Sequence, residues 1–111
     1  MVFEIRQNQD FEQLLERSKT DPVLLFKHST QCSISDQAYE EFNRFRETAA
    51  DLTCGLVLVI ENRSVSDAIA VRLGVRHESP QAIVVKDGKP EWNASHWKIT
   101  AETLSEALPK L

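Results

Sequence analysis

Two cysteines in 111 residues are too few for a disulfide framework, and neither stands in a Cys/His cluster with zinc-finger spacing. Long apolar runs are missing as well. The longest, Leu56-Val57-Leu58-Val59-Ile60, is far too short to span a bilayer. Basic charge is not in excess: 13 Lys and Arg face 17 Asp and Glu, for a net charge of −4. With no basic block, a nucleic-acid or anionic-membrane surface is not expected. Met1-Val2-Phe3-Glu4-Ile5 has no basic segment leading into an apolar one, so no signal peptide is read there, and the expected compartment is the cytoplasm. Ser64-Val65-Ser66 lacks the glycines and lysine of a phosphate loop. What remains is a chain of ordinary composition, read as a single domain over residues 1–111, long enough for a core without staples.

One residue stands out from that background. Cys32 lies in Lys27-His28-Ser29-Thr30-Gln31-Cys32-Ser33-Ile34-Ser35, after the apolar run Val23-Leu24-Leu25-Phe26 and before a helical pattern. A free cysteine is often a small buried hydrophobe, but the neighbours of Cys32 form a polar loop. A thiol at a strand-to-helix turn meets the orphan N–H groups and positive end of the helix, which favours thiolate over thiol. Thiolate is the form that attacks disulfides. Position 35 carries serine where a two-thiol oxidoreductase would carry its second cysteine, so the pattern is that of a one-cysteine site.

The rest of the chain alternates strand and helix. Phe3-Glu4-Ile5 reads as a short strand, and Phe11, Leu14, Leu15 and Ser18 as a helix capped by Asn8 or Asp10 and broken at Asp21-Pro22. Val23 to Lys27 is a buried strand; Ala38, Phe42, Phe45 and Ala49 mark a long amphipathic helix. Leu56 to Ile60 is a second buried strand with Cys54 at its start. Ala68, Ile69, Val71 and Leu73 lie on a helix capped by Ser64 or Ser66 and closed by Gly74. Ala82 to Val85, the turn Asp87-Gly88 and Lys89 to Asn93 form a hairpin, and Thr100 caps a last helix holding Leu104, Ala107 and Leu108. The order β-α-β-α-β-α-β-β-α predicts an α/β fold, a central mixed sheet with helices on both faces. Cys54 then falls at the sheet end opposite Cys32. A five-residue strand spans roughly 17 Å, well beyond the Cα separation of about 4.4–6.8 Å that a disulfide permits, so Cys54 reads as a packed structural thiol.

That order, with a cysteine loop after the second strand, resembles the thioredoxin fold. So does a second segment: Gly74-Val75-Arg76, then Ser79-Pro80, then a strand ending in Lys86-Asp87-Gly88-Lys89. The resemblance implies that Pro80 is a cis-proline facing the active cysteine and that the backbone of Ser79 receives an incoming disulfide partner. A closer match covers nearly the whole chain. His28-Ser29-Thr30-x-Cys32-x-Ile34-Ser35, His77-Glu78-Ser79-Pro80-Gln81 and Ser95-His96-Trp97 are similar to the monothiol bacilliredoxins, thioredoxin-fold proteins of the bacillithiol system in low-GC Gram-positive bacteria. This implies a thiol–disulfide oxidoreductase that removes bacillithiol, a small cysteine-containing thiol, from mixed disulfides on client proteins. Cys32 would be catalytic, with Ser79, Pro80, Ser35 and Thr30 on the substrate side. Bacillithiol would be a cosubstrate, with no tightly bound cofactor and no metal. The chain departs from the family's Cys-Pro-Ile-Ser at Ser33, which keeps an N–H that proline would remove and loosens the first helical turn.

His28 and His77 read as structural or surface histidines within reach of the cysteine loop, and no mechanism is assigned to His96-Trp97. Two other classes stay open. One cysteine after a flexible loop also resembles monothiol glutaredoxins, which bridge an iron–sulfur cluster, although their Cys-Gly-Phe-Ser differs from Cys-Ser-Ile-Ser. The other is a thioredoxin-fold interaction domain with no redox role.

Overall fold

Strand β2 (Val23–His28) is buried along its whole length, and the molecule is built outward from it. In a computed structural model, which describes residues 1–108, β2 occupies the middle of a five-stranded sheet of order β1-β3-β2-β4-β5. β1 (Val2–Glu4) and β2 both run parallel to β3 (Thr53–Leu58), whereas β4 (Gln81–Lys86) is antiparallel to β2 and to β5 (Lys89–Ser95). The sheet is therefore mixed, as the element order predicts. Its flanks are α1 (Asn8–Arg17), α2 (Ser33–Glu47), α3 (Arg63–Leu73) and α4 (Ala101–Ala107), with one 3₁₀ turn at His96–Lys98.

Side chains alternate across β2 and fill two separate cores. Val23 and Leu25 join Phe11, Leu14 and Leu15 of α1 and Val65, Ile69 and Leu73 of α3. Leu24 and Phe26 join Ala38, Phe42 and Phe45 of α2 and Leu104 of α4. Both faces are covered, which is why β2 reads as an uninterrupted apolar run.

The elements differ from expectation mainly at their ends. The cap of α1 is Gln7, and Asp10 reaches back from the first turn, its carboxylate accepting from the N–H groups of Arg6 at 3.0 Å and Gln7 at 3.3 Å. Helix α3 begins one residue after Asn62, so neither Ser64 nor Ser66 caps it, and Ser66 is buried inside its first turns. Helix α2 stops at Glu47, short of Ala49, where the Thr48 hydroxyl donates to the Phe45 carbonyl at 2.8 Å. Strand β3 starts at Thr53 and ends at Leu58, leaving Ile60 half exposed beyond it. Gly55 explains that shift. A methyl group there would lie 2.6 Å from Ile5 Cδ1 and 2.9 Å from Leu14 Cδ2, so the glycine lets α1 press onto the strand rather than ending it. Thr100 does cap α4: its hydroxyl accepts from the Thr103 N–H at 3.0 Å and the Thr103 hydroxyl accepts from the Thr100 N–H at 3.0 Å. The turn between β4 and β5 places Asp87 at φ 53° and Gly88 at φ 72°, as a two-residue hairpin requires.

Candidate active site

The parallel pairing of β2 with β3 and the antiparallel pairing of β2 with β4 bring four loops to one end of the sheet. Lys27 lies opposite Val57 on one side and Gln81 on the other. The loop after β2, the loop after β3, the loop before β4 and the turn after β5 therefore gather there. Cys32, Thr30, Ser35, Ser79 and Pro80 all belong to this end. Cys54 does not: it pairs with Leu24, near the start of β2.

Cys32 is the N-cap of α2, extended at φ −134° and ψ 123°, and half-buried. Its carbonyl accepts the Asp36 N–H at 3.0 Å, while its thiol makes no capping bond. Aromatic stacking fixes the helix start over β2. Tyr39 of α2 lies 4.5 Å from the His28 ring and Phe42 lies 4.7 Å from Phe26, both nearly parallel.

Ser35 does not line the surface where a substrate would arrive. It is fully buried, and its hydroxyl is 2.7 Å from His28 Nδ1 and accepts the Ser29 N–H at 2.9 Å. Burial depresses the His28 pKa against the opposing pull of Asp36 and Glu61, which favours the neutral ring beside the Ser35 hydroxyl. Ser35 thus pins the loop to the strand end. The reason for the difference is helix geometry: with Cys32 at the cap, a residue in the first turn of α2 can point back under the loop instead of outward. Thr30 is exposed, its hydroxyl 3.5 Å from a carboxylate oxygen of Glu61 in the loop after β3.

The Ser79–Pro80 bond is cis, as the thioredoxin resemblance implies. Its neighbours are anchored one by one. The Gln81 amide donates to the Arg76 carbonyl at 3.0 Å, the Ser95 hydroxyl donates to Glu78 at 2.8 Å, and the His96 N–H donates to the Pro80 carbonyl at 3.1 Å. His96 adopts φ 55°, a left-handed conformation unusual for a residue with a Cβ, and the residue is exposed. The buried Ser79 hydroxyl has no partner among the described residues.

Three residues escaped the sequence reading as a group. Lys27 is fully buried, and its Nζ donates to the Ser66 carbonyl at 3.1 Å and to His77 Nδ1 at 3.3 Å. The Ser66 hydroxyl lies 3.2 Å from the same ring nitrogen. Burial pushes the Lys27 pKa down to about 8, with Asp67 pulling it up and Arg63 pushing it further down. Burial also depresses His77, with Lys27 adding to the effect. A signal was present: a lysine inside a strand covered on both faces has no solvent side to occupy. Cys54 is fully buried too, and burial pushes its thiol up to about 12, so it remains protonated at neutral pH. Among the described residues no three His, Cys, Asp or Glu side chains cluster as a metal site, and no helix is long and apolar enough to cross a membrane.

Residues 3–104 match the family model of the monothiol bacilliredoxin BrxC. Among solved structures, a thioredoxin-fold protein proposed to be an oxidoreductase shares 36% identity, with a TM-score of 0.87 over 96% of this chain and 92% of that one. Fasciola hepatica thioredoxin aligns at 17% identity and TM-score 0.75, over 96% of both chains. Thioredoxin from Trypanosoma brucei brucei aligns at 12% identity and TM-score 0.79, over 98% of this chain and 88% of that one. The last two establish the thioredoxin fold.

Proposed function

The chain belongs to the monothiol bacilliredoxin family, and we propose that it removes bacillithiol from protein mixed disulfides, with Cys32 as the nucleophile. The observation that carries this reading is the contrast between its two thiols. Cys32 is partly exposed at a helix start, at the same sheet end as the cis Ser79–Pro80 bond, whereas Cys54 is buried, protonated and at the other sheet end.

In the first step the Cys32 thiolate attacks the bacillithiol sulfur of a modified client. The client's S–S bond breaks, its sulfur leaves as thiolate and takes a proton from water, and bacillithiol is now joined to Cys32. Ser35 has no thiol to expel it. A second bacillithiol thiolate attacks the attached bacillithiol sulfur, releasing the Cys32 thiolate and bacillithiol disulfide. Thr30 and the Ser79-Pro80 backbone are the groups proposed to meet the incoming disulfide, and S-bacillithiolated proteins are the proposed clients. Neutral His28 and Ser35 hold the loop in place.

A client carrying bacillithiol, followed by mass spectrometry, tests this. Wild type should strip the client and accumulate a single bacillithiol adduct on Cys32, which clears only when free thiol is added. Cys32→Ser should abolish removal, because a hydroxyl is a far poorer nucleophile at neutral pH. Cys54→Ser should retain it. Turnover surviving in Cys32→Ser but lost in Cys54→Ser would show the nucleophile to be wrongly assigned. Inactive wild type that turns coloured on anaerobic iron–sulfur reconstitution would favour the cluster-binding class.

A further inference from the structure

We propose that Lys27 is a positioning residue for thiol exchange, its buried side chain holding His77 and thereby fixing the segment that presents Ser79 to an incoming disulfide. The inference rests on the exchange reading above and extends it to a residue that does not touch the substrate.

The geometry joins three elements at one atom. Lys27 belongs to β2, Ser66 to the first turns of α3, and His77 to the loop entering Ser79-Pro80. The Lys27 Nζ is within hydrogen-bond reach of both the Ser66 carbonyl at 3.1 Å and His77 Nδ1 at 3.3 Å. Among the described residues no carboxylate lies within ion-pair distance of that nitrogen. The charged groups acting on this pair are Asp67 and Arg63 of α3 and Glu78 of the loop. Burying an ammonium with only neutral partners is unfavourable, and an apolar side chain in the same space would avoid the cost. A residue kept there against that cost has a use beyond filling the core. Its reach supplies one: Arg76, Glu78 and Pro80 are each tied to β4, β5 or the turn after β5, and Lys27, together with the Ser66 hydroxyl, secures the remaining anchor, His77. Among the described residues the buried hydroxyl of Ser79, the residue proposed to meet the substrate, has no partner. Because the tie runs through the loop and not through α2, its loss should weaken substrate capture while leaving the intrinsic reactivity of Cys32 alone.

The test is a double-mutant cycle of Lys27→Met, His77→Phe and their combination. Methionine keeps an unbranched apolar stem and removes the charge. Each variant is assayed for KM and kcat on a bacillithiol-modified client, for the rate of Cys32 alkylation by iodoacetamide, and for its urea midpoint. In Lys27→Met, KM should rise about ten-fold, the loss of one hydrogen bond to a charged group. Alkylation should be unchanged, and the double variant no worse than the His77 variant alone, because that change already removes the contact Lys27 makes. If Lys27→Met does not fold, His77→Phe at the outer end of the contact should by itself raise KM without altering alkylation. Unchanged KM, effects that simply multiply, or alkylation that changes in step with KM would overturn the positioning role. Wild type that fails to turn over the client would instead overturn the exchange reading, and this inference with it.

Discussion

The hydroxyl of the fully buried Ser35 has two neighbours inside the fold, the N–H of half-buried Ser29 and the buried His28 ring. Removing that oxygen takes the partner from a backbone donor and from a buried ring nitrogen. Ser35→Ala should therefore cost about 1–3 kcal/mol in urea unfolding, with an unchanged m-value. The Ser29 amide should also exchange with solvent faster than in wild type. Equal midpoints together with unchanged Ser29 exchange would show that the loop is held by the Tyr39–His28 stack alone. Cys32 was legible from sequence because a polar loop between a buried strand and an amphipathic helix is an unusual place for a cysteine. The direction of the Ser35 side chain was not, since spacing gives its neighbour along the helix but not which way a first-turn hydroxyl turns.

Among the elements, those with strong periodic or turn signals were legible and those set by tertiary approach were not. Helix α2, the β4–β5 hairpin and the Thr100 cap follow from local chemistry. The caps Gln7 and Asn62 do not, because several polar residues compete at each start and the register of the packed helix decides among them. Strand β3 was displaced for a similar reason. Gly55 looks locally like a break, yet it allows Ile5 and Leu14 to close on the strand. Gly55→Ala should consequently destabilise the protein by about 1–3 kcal/mol, since both contacting side chains are fully buried and must leave their rotamers. Trimming the neighbour in Gly55→Ala/Ile5→Val should recover part of the loss. A Gly55→Ala protein as stable as wild type would mean that α1 rides freely over the sheet. Lys27 belongs with these cases. Its fate depended on both faces of β2 being covered, which becomes visible only when the whole sheet is assembled.

Across the whole molecule, stability must follow pH through the groups that burial keeps neutral. His28 and His77 have pKa values depressed below 6.5, so the stability they contribute is present above pH 6.5 and is lost as pH falls through their folded values. Lys27 is depressed from 10.5 to about 8. The unfolded chain therefore binds more protons across that interval, and stability rises with pH from about 8 to 10.5. Cys54 acts in the opposite sense: raised from 9.0 to about 12, its contribution is present below pH 9 and is lost as pH climbs towards 12. The two contributions overlap between pH 9 and 10.5 and cancel in slope. Urea unfolding of wild type should accordingly gain about 1 kcal/mol between pH 8 and 9, level off to pH 10.5, and decline beyond. Each group can be isolated by substitution. Lys27→Met should show no gain from pH 8 to 9 and should begin to fall from pH 9. Cys54→Ala, whatever its packing cost, should keep gaining stability up to pH 10.5. A wild-type profile that parallels Lys27→Met from pH 7 to 9 would mean that the buried amine is solvated in the folded protein, and the three-element contact at His77 would lose its basis.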